Sequence, residues 1–328
     1  MNATMTGRVP LAKRSPKSTS KTKEEKRENN KKFKHAKLKT KENTRYKFRW
    51  TQIPFFLIHL LPLGAFFTGV HVADAIFLAV FYFTGMFFVT AGYHRYFSHK
   101  TYKLNRFWQF IFAFMAQATA QKGVLWWASH HRTHHKYSDT DYDIHSAKKL
   151  GFFYSHLGWI LSDDHEETDY DLVKDLAKYP ELVWLNKHPL IPAWIVGITA
   201  YLIGGASMLF FGFFLGLVLL WHGTFTINSL THMFGKQRYV TGDESRNNPF
   251  FALITLGEGW HNNHHFFQSS TRQGFFWWEF DITYYILKLL SWVGIVKKMR
   301  PVPDHIKYAH IREPEKYSAK LRNEKNQS

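Results

Sequence analysis

The 328-residue chain contains no cysteine. Disulfides, iron–sulfur clusters, thiolate-ligated haem and Cys-built zinc sites are therefore excluded. Charge is also missing, in a patterned way. Between Arg49 and Arg95 the only Asp, Glu, Lys or Arg is Asp74, and between Lys187 and Lys236 there is none. Acidic residues number 25 against 43 Lys and Arg, but the imbalance is local. Residues 1–50 hold 17 Lys/Arg and 4 Asp/Glu, whereas the other 278 residues hold 26 and 21. The net charge of +18 is thus mostly a basic tail, and no nucleic-acid partner is expected. That tail, residues 1–49, has too little apolar content to offset the entropy of ordering and reads as disordered. Its lysines suit an anionic membrane surface. It is not a secretory signal, because no short apolar core follows a brief basic start.

What fills the uncharged stretches is aromatic and aliphatic, with 31 Phe and 12 Trp in the chain. Residues 50–73 and 75–94 are each long enough to span a hydrocarbon core, which needs about 20 residues. The break at His71–Asp74 makes them a hairpin. A second hairpin fits between Lys187 and Lys236, turning at Gly204-Gly205-Ala206-Ser207. Spans are expected at about 52–71, 75–94, 189–204 and 207–231. Neither hairpin turn carries Lys or Arg, so the positive-inside rule puts both termini in the cytoplasm. The expected fold is an all-α integral membrane protein: four transmembrane helices in two hairpins with a cytoplasmic helical cap. The membrane domain covers 50–300, its cap being 95–187 and 236–300, and 301–328 forms a C-terminal cytoplasmic tail. Residues 107–121 are too short to cross and read as a buried or interfacial helix. Residues 275–296, interrupted by Glu279, Asp281 and Lys288, read as an amphipathic helix in the interface.

Histidines gather where the chain returns to the cytoplasmic side. His131, His134 and His135 stand at i, i+3 and i+4, on one helical face. His261, His264 and His265 repeat that spacing. His94 and His99 follow the second span, and Asn228-Ser-Leu-Thr-His232 closes the fourth. A lone interfacial histidine is usually a polar tip, but two HxxHH repeats with two outlying groups on one side are a ligand set. Neutral imidazole suits Fe, Zn, Cu and Ni. Nine imidazoles are too many for one tetrahedral ion and fit two ions of five or six ligands each.

These motifs resemble those of the membrane fatty acyl desaturases, in the delta-9, stearoyl-CoA-type branch. The matching pieces are His-Arg-Tyr-Phe-Ser-His (94–99), His-Arg-Thr-His-His (131–135), Asn-Ser-Leu-Thr-His (228–232) and His-Asn-Asn-His-His (261–265). The HxxxxH spacing of the first favours desaturases over related membrane hydroxylases. The resemblance covers about residues 50–300. It implies a non-haem di-iron centre held by the nine histidines, with Asn228 contributing through a water. The implied reaction takes a saturated acyl chain, O2, two electrons and two protons to a cis-alkene and two waters. An unactivated methylene offers neither an acidic proton nor an electrophilic carbon, so the hard chemistry falls to the metal. No haem segment is fused to either end, so a separate electron donor of ferredoxin, rubredoxin or cytochrome b5 type, with its reductase, is implied.

The resemblance also implies a bent acyl tunnel shaped by Gln121, Trp127 and Thr224 and closed by Tyr82. Met86, one turn nearer the metals, stands where relatives carry a small residue, which implies a shorter tunnel and a sixteen-carbon preference. Lys148 and Lys149 match a basic pair that touches coenzyme A phosphates, for which cations are the natural partners. Against this, Ser129 and His130 replace an Arg-Asp pair that contacts the coenzyme in animal enzymes. Acyl-CoA is the expected carrier, with phospholipid or acyl carrier protein as the alternatives. Three other classes compete. A di-iron hydroxylase would yield an alcohol. A zinc hydrolase would need a general-base carboxylate; Glu258 is the only neighbour, and is expected to support a ligand instead. A metal transporter would carry ionisable ligands inside its spans, which are bare here.

Overall fold

The computed structural model describes residues 50–309; the basic tail 1–49 and the last residues, 310–328, lie outside that range. Among the described residues the chain is helical and forms no strand, only isolated bridges. Three helical runs are long and apolar enough to cross a membrane: α1 (Trp50–Thr68), α2 (Val72–Ser98) and a 42-residue run, Ile191–His232. Between α2 and that run lie α3 (Arg106–Gln117), α4 (Val124–Tyr137), α5 (Ala147–Phe153) and α6 (Pro180–Lys187). The long run is α7, followed by α8 (Pro249–Ile254), α9 (His261–Phe266) and α10 (Ile282–Trp292).

The first turn falls where the sequence breaks. Gly69 takes a left-handed φ of 74°, and Asp74 caps the start of α2 by accepting the His71 N–H at 2.8 Å. A straight α7 would be about 63 Å long, roughly twice a hydrocarbon core. It is not straight. Gly205, at φ 67° and ψ −157°, is non-helical. The chain then folds back, so that a Cβ on Gly197 would lie 3.0 Å from the Phe213 ring. Beyond the turn, Gly212 and Gly216 let α7 approach α2 closely, since a Cβ at either would come within about 3 Å of the Phe77 or Phe81 ring.

Two short apolar stretches resolve differently from one another. The expected helix over 107–121 is α3, whose Phe112, Ala113 and Ala116 are buried. The expected helix over 275–296 is only α10. The acidic residues before it are not on a polar face: Asp281 caps α10 by accepting from Tyr284 N, and buried Glu279 accepts from Phe276 N and Asn263 Nδ2. Side-chain acceptors competing for backbone N–H groups end the helix there.

Candidate metal centre

The last turns of α2, Val89–Ser98, are wound as a π-helix, with the His99 N–H donating to the His94 carbonyl at 3.2 Å. On an α-helix two residues five apart would diverge by about 140°. The i→i+5 winding instead brings them to one side, and the His94 and His99 rings stand edge-on 4.9 Å apart.

Each HxxHH box divides its ligands. His94, His99, His131, His135 and His264 form one group whose ring nitrogens all lie within 4.8 Å of one another; His134, His232, His261 and His265 form a second. On α4 the i,i+4 pair His131 and His135 serves the first group and His134 the second. On α9 the i,i+4 pair His261 and His265 serves the second and His264 the first. The sequence places all three members of a box on one face; the structure shows that face lying between two histidine clusters. His264 Nε2 is 2.9 Å from both His94 Nε2 and His135 Nε2, and His99 Nε2 is 2.8 Å from His131 Nε2. His232 Nε2 and His261 Nε2 are 3.0 Å apart. Among the described residues, His134 Nε2 and His265 Nε2 are buried with no hydrogen-bond partner. Buried polar atoms without partners are costly, and converging imidazole nitrogens of this kind are what a bound cation satisfies. The donor set fits two such ions.

The other ring nitrogen is held by a carboxylate in four cases. His134 Nδ1 lies 2.9 Å from Asp143, His232 Nδ1 2.9 Å from Asp139, His265 Nδ1 2.7 Å from Asp243 and His94 Nδ1 2.5 Å from Glu258. Such outer partners fix the tautomer and aim Nε2 at the metal. Burial alone would raise the Asp139 carboxyl, but the hydrogen bond and charge of His232, with hydrogen bonds from Ser146 and the Glu244 N–H, together lower it to about 2. Burial, reinforced by neighbouring histidines, pushes His99, His131, His135, His261 and His264 well below the ordinary imidazole value. They are neutral near pH 7, the form that binds metal. Asp143→Asn removes the charge and keeps the shape; metal affinity or activity is expected to fall about 10- to 100-fold, read by metal titration and product yield. An unchanged affinity would remove Asp143 from this role.

Asp139, Asp143 and Asp243, which hold histidines of the second group, are candidate site residues that sequence reasoning missed. Their only signal was acidic residues soon after a histidine box. Glu258 was singled out in advance. His130 stacks on Trp126 at 4.2 Å and belongs to neither group.

A cavity of about 330 Å³ adjoins the first group and is lined by His131, Trp127, Gln121, Thr224 and Asn228. Gln121 Nε2 donates to Thr224 Oγ1 at 3.1 Å, and Trp127 stacks on His131 at 4.8 Å. Ala120 and Lys122, on either side of Gln121, both hold positive φ, 52° and 68°. Strain of this kind concentrates at functional sites. Tyr82 and Met86 do not line the cavity. They close in on Gly223, beside Thr224: a Cβ there would lie 2.9 Å from Met86 Cε and from Tyr82 Oη. Lys148 and Lys149 are at the surface, bridged to Glu244 at 2.6 Å and Asp141 at 3.0 Å, and neither lines the cavity.

A family model described as "Fatty acid desaturase" matches residues 72–289. The chain is 36% identical over 263 residues to the sn-2 palmitoyl-lipid 9-desaturase of a Nostoc species, covering 78% of this chain and 91% of that one. It is 36% identical over 259 residues to the sn-1 stearoyl-lipid 9-desaturase of a Synechocystis species, covering 78% and 81%. An acyl-CoA 5-desaturase of Anemone leveillei is 35% identical over 252 residues, covering 76% and 78%.

Proposed function

The chain belongs to the fatty acid desaturase family, and on that footing we propose that it installs a cis double bond at carbon 9 of a saturated C16 or C18 chain carried by a membrane glycerolipid. The observation that carries the reaction is the sorting of nine buried or half-buried imidazoles into groups of five and four. We assign one iron to His94, His99, His131, His135 and His264, and a second to His134, His232, His261 and His265 with Asn228 acting through a water. The iron pair supplies activation of O2 strong enough to take hydrogen from an unactivated methylene. The chain's own residues do the rest. Asp139, Asp143, Asp243 and Glu258 hold the ligands in one tautomer. Trp127, Gln121 and Thr224 shape the cavity next to His131 and exclude water from it. Met86 and Tyr82 pack on Gly223, next to the cavity-lining Thr224. Two electrons from a separate ferredoxin, rubredoxin or cytochrome b5 type donor and two protons complete the conversion of O2 to two waters.

Four crossings and a cytoplasmic cap suit this reading, because the chain reverses at Gly205 within α7 and so returns to the side it started from. Both termini and the active site then share the cytoplasmic side, as the distribution of Lys and Arg supports. For the carrier, a glycerolipid is favoured by the two lipid 9-desaturases above. The surface pairing of Lys148 and Lys149 and the Ser129-His130 pair also leave coenzyme A little to hold. Acyl-CoA is the second reading, favoured by the relative that acts on it.

Expression in an unsaturated-fatty-acid auxotroph tests both. A cis-9 monoene on extracted glycerolipid is expected; an alcohol, or a double bond elsewhere, overturns the assignment. In the same assay Met86→Ala frees space beside Gly223 and Thr224 and is expected to move the product ratio from sixteen toward eighteen carbons. No movement would separate Met86 from chain length.

A further inference from the structure

Three imidazoles outside the nine make a second assembly. His59 on α1 places Nε2 3.2 Å from His222 Nε2 on α7; His222 Nδ1 lies 3.0 Å from His156 Nε2 in the turn after α5. His156 Nδ1 is 2.9 Å from Ser229 Oγ, and His59 Nδ1 is 2.7 Å from the Phe55 carbonyl. A carbonyl only accepts, so the proton sits on His59 Nδ1. The tautomers follow in turn: His222 Nε2–H donates to His59 and His156 Nε2–H donates to His222. Because His222 meets its neighbours with opposite ring nitrogens, the three do not converge as metal ligands do. They form a string that ties α1 to α7 and the cap. The spans, read from the sequence as bare of ionisable groups, thus hold His59 and His222, and an ionisable residue within a membrane segment marks a candidate functional site.

What the string ties down is otherwise loosely attached. Of the most apolar stretch of α1, 6% is buried, against 28% for α2 and 33% for α7. Gln52 is its one buried side chain, donating to the Leu161 carbonyl at 2.6 Å. Yet α1 walls the cavity: Phe55 and Ile58 line it, and Phe55 stacks on Trp221 of α7 at 5.3 Å. Midway along, α1 tightens into a 3-10 turn at Leu61–Gly64. Pro62 within that turn has no N–H to continue the helical ladder. Below it, Gly64 sits against the Phe210 ring. The 3-10 break below the upper half, and its attachment by a few discrete contacts rather than by burial, make that half a hinged wall.

We propose that the upper half of α1, Ile53–Leu60, is a side door through which an acyl chain passes from the bilayer into the cavity, held shut by the His59–His222–His156 string. The inference rests on the desaturase reading above and deepens it toward bilayer-resident glycerolipids. A chain on a free carrier can thread end-on from the cavity mouth. A chain on a diacyl lipid has a sister chain that stays in the bilayer, so it needs a lateral slot.

The absence of native cysteine makes the test clean. His59→Cys/His222→Cys joined by a short, reducible bifunctional thiol reagent replaces the string with a covalent bolt. Conversion of dipalmitoyl phosphatidylglycerol in vesicles is expected to fall at least tenfold and to return on reduction, while palmitoyl-CoA added from the aqueous side is unaffected. Bolted protein that converts the vesicle lipid at the unbolted rate overturns the door. Spin labels on Leu57→Cys and Leu219→Cys, both exposed, give a readout independent of turnover. Dipalmitoyl lipid should add a longer-distance population, enlarged by His222→Asn; one unchanging distance overturns the proposal. Labels that move in protein converting only palmitoyl-CoA would support the door and refute the glycerolipid carrier.

Discussion

Purified His264→Ala protein is expected to retain one bound ion where the parent holds two. Its activity should fall more than about 100-fold, beyond what losing a ligand's outer partner costs. His264 is the most exacting position to test because its Nε2 lies 2.9 Å from the Nε2 atoms of both His94 and His135. Alanine there leaves the first group with four nitrogens contributed by α2, its following residue and α4, and none from α9. The second group keeps all its members, since His261 and His265 are still oriented by α9. His130→Ala is the matched control, an imidazole beside the box that belongs to neither group. Elemental analysis of the purified protein reads ion content, and gas chromatography of total fatty acids reads product. A variant with two ions per chain, or His130→Ala losing one, would contradict the division of ligands.

That division could not be read from residue order. The i, i+3, i+4 spacing makes a shared face, and it was legible. Which member of a face serves which ion depends on where the facing helix lies. His94 and His99 were singled out by their place at the end of the second span, although on an α-helix their spacing argues against convergence. Only the π winding of Val89–Ser98 brings the rings to 4.9 Å. The apolar runs and the turn at Gly205 were legible because bilayer thickness and glycine conformation constrain them directly. The Asp139, Asp143 and Asp243 contacts were not, since a carboxylate's partner across the fold leaves no periodic trace. The acidic residues before α10 misled for a related reason: Glu279 and Asp281 read as a polar face but are fully buried acceptors.

Arg95→Met is expected to lower the melting temperature by about 10 °C, from the 3–5 kcal/mol typical of breaking a buried ion pair. Arg95 is fully buried, with its guanidinium 3.1 Å from Glu258, 2.9 Å from Asp281 and 2.9 Å from the Thr271 carbonyl. Methionine fills much of the volume and leaves two buried carboxylates without the guanidinium that both contact. Relief would come from a proton. Glu258 has the His94 imidazole 2.5 Å away, so a neutral Glu258 would also loosen the tautomer of a first-group ligand. Two effects should therefore appear together, a lower melting temperature and weaker binding of one ion. Adding Asp281→Asn removes one of the stranded charges and should recover part of the stability without restoring the ion. Thermal scans in detergent followed by size-exclusion fluorescence, with ion content measured on the same samples, separate the two. If Arg95→Met melts with the parent, the guanidinium is not what holds α2, the Glu258 loop and the start of α10 together. The orientation of His94 would then need another explanation.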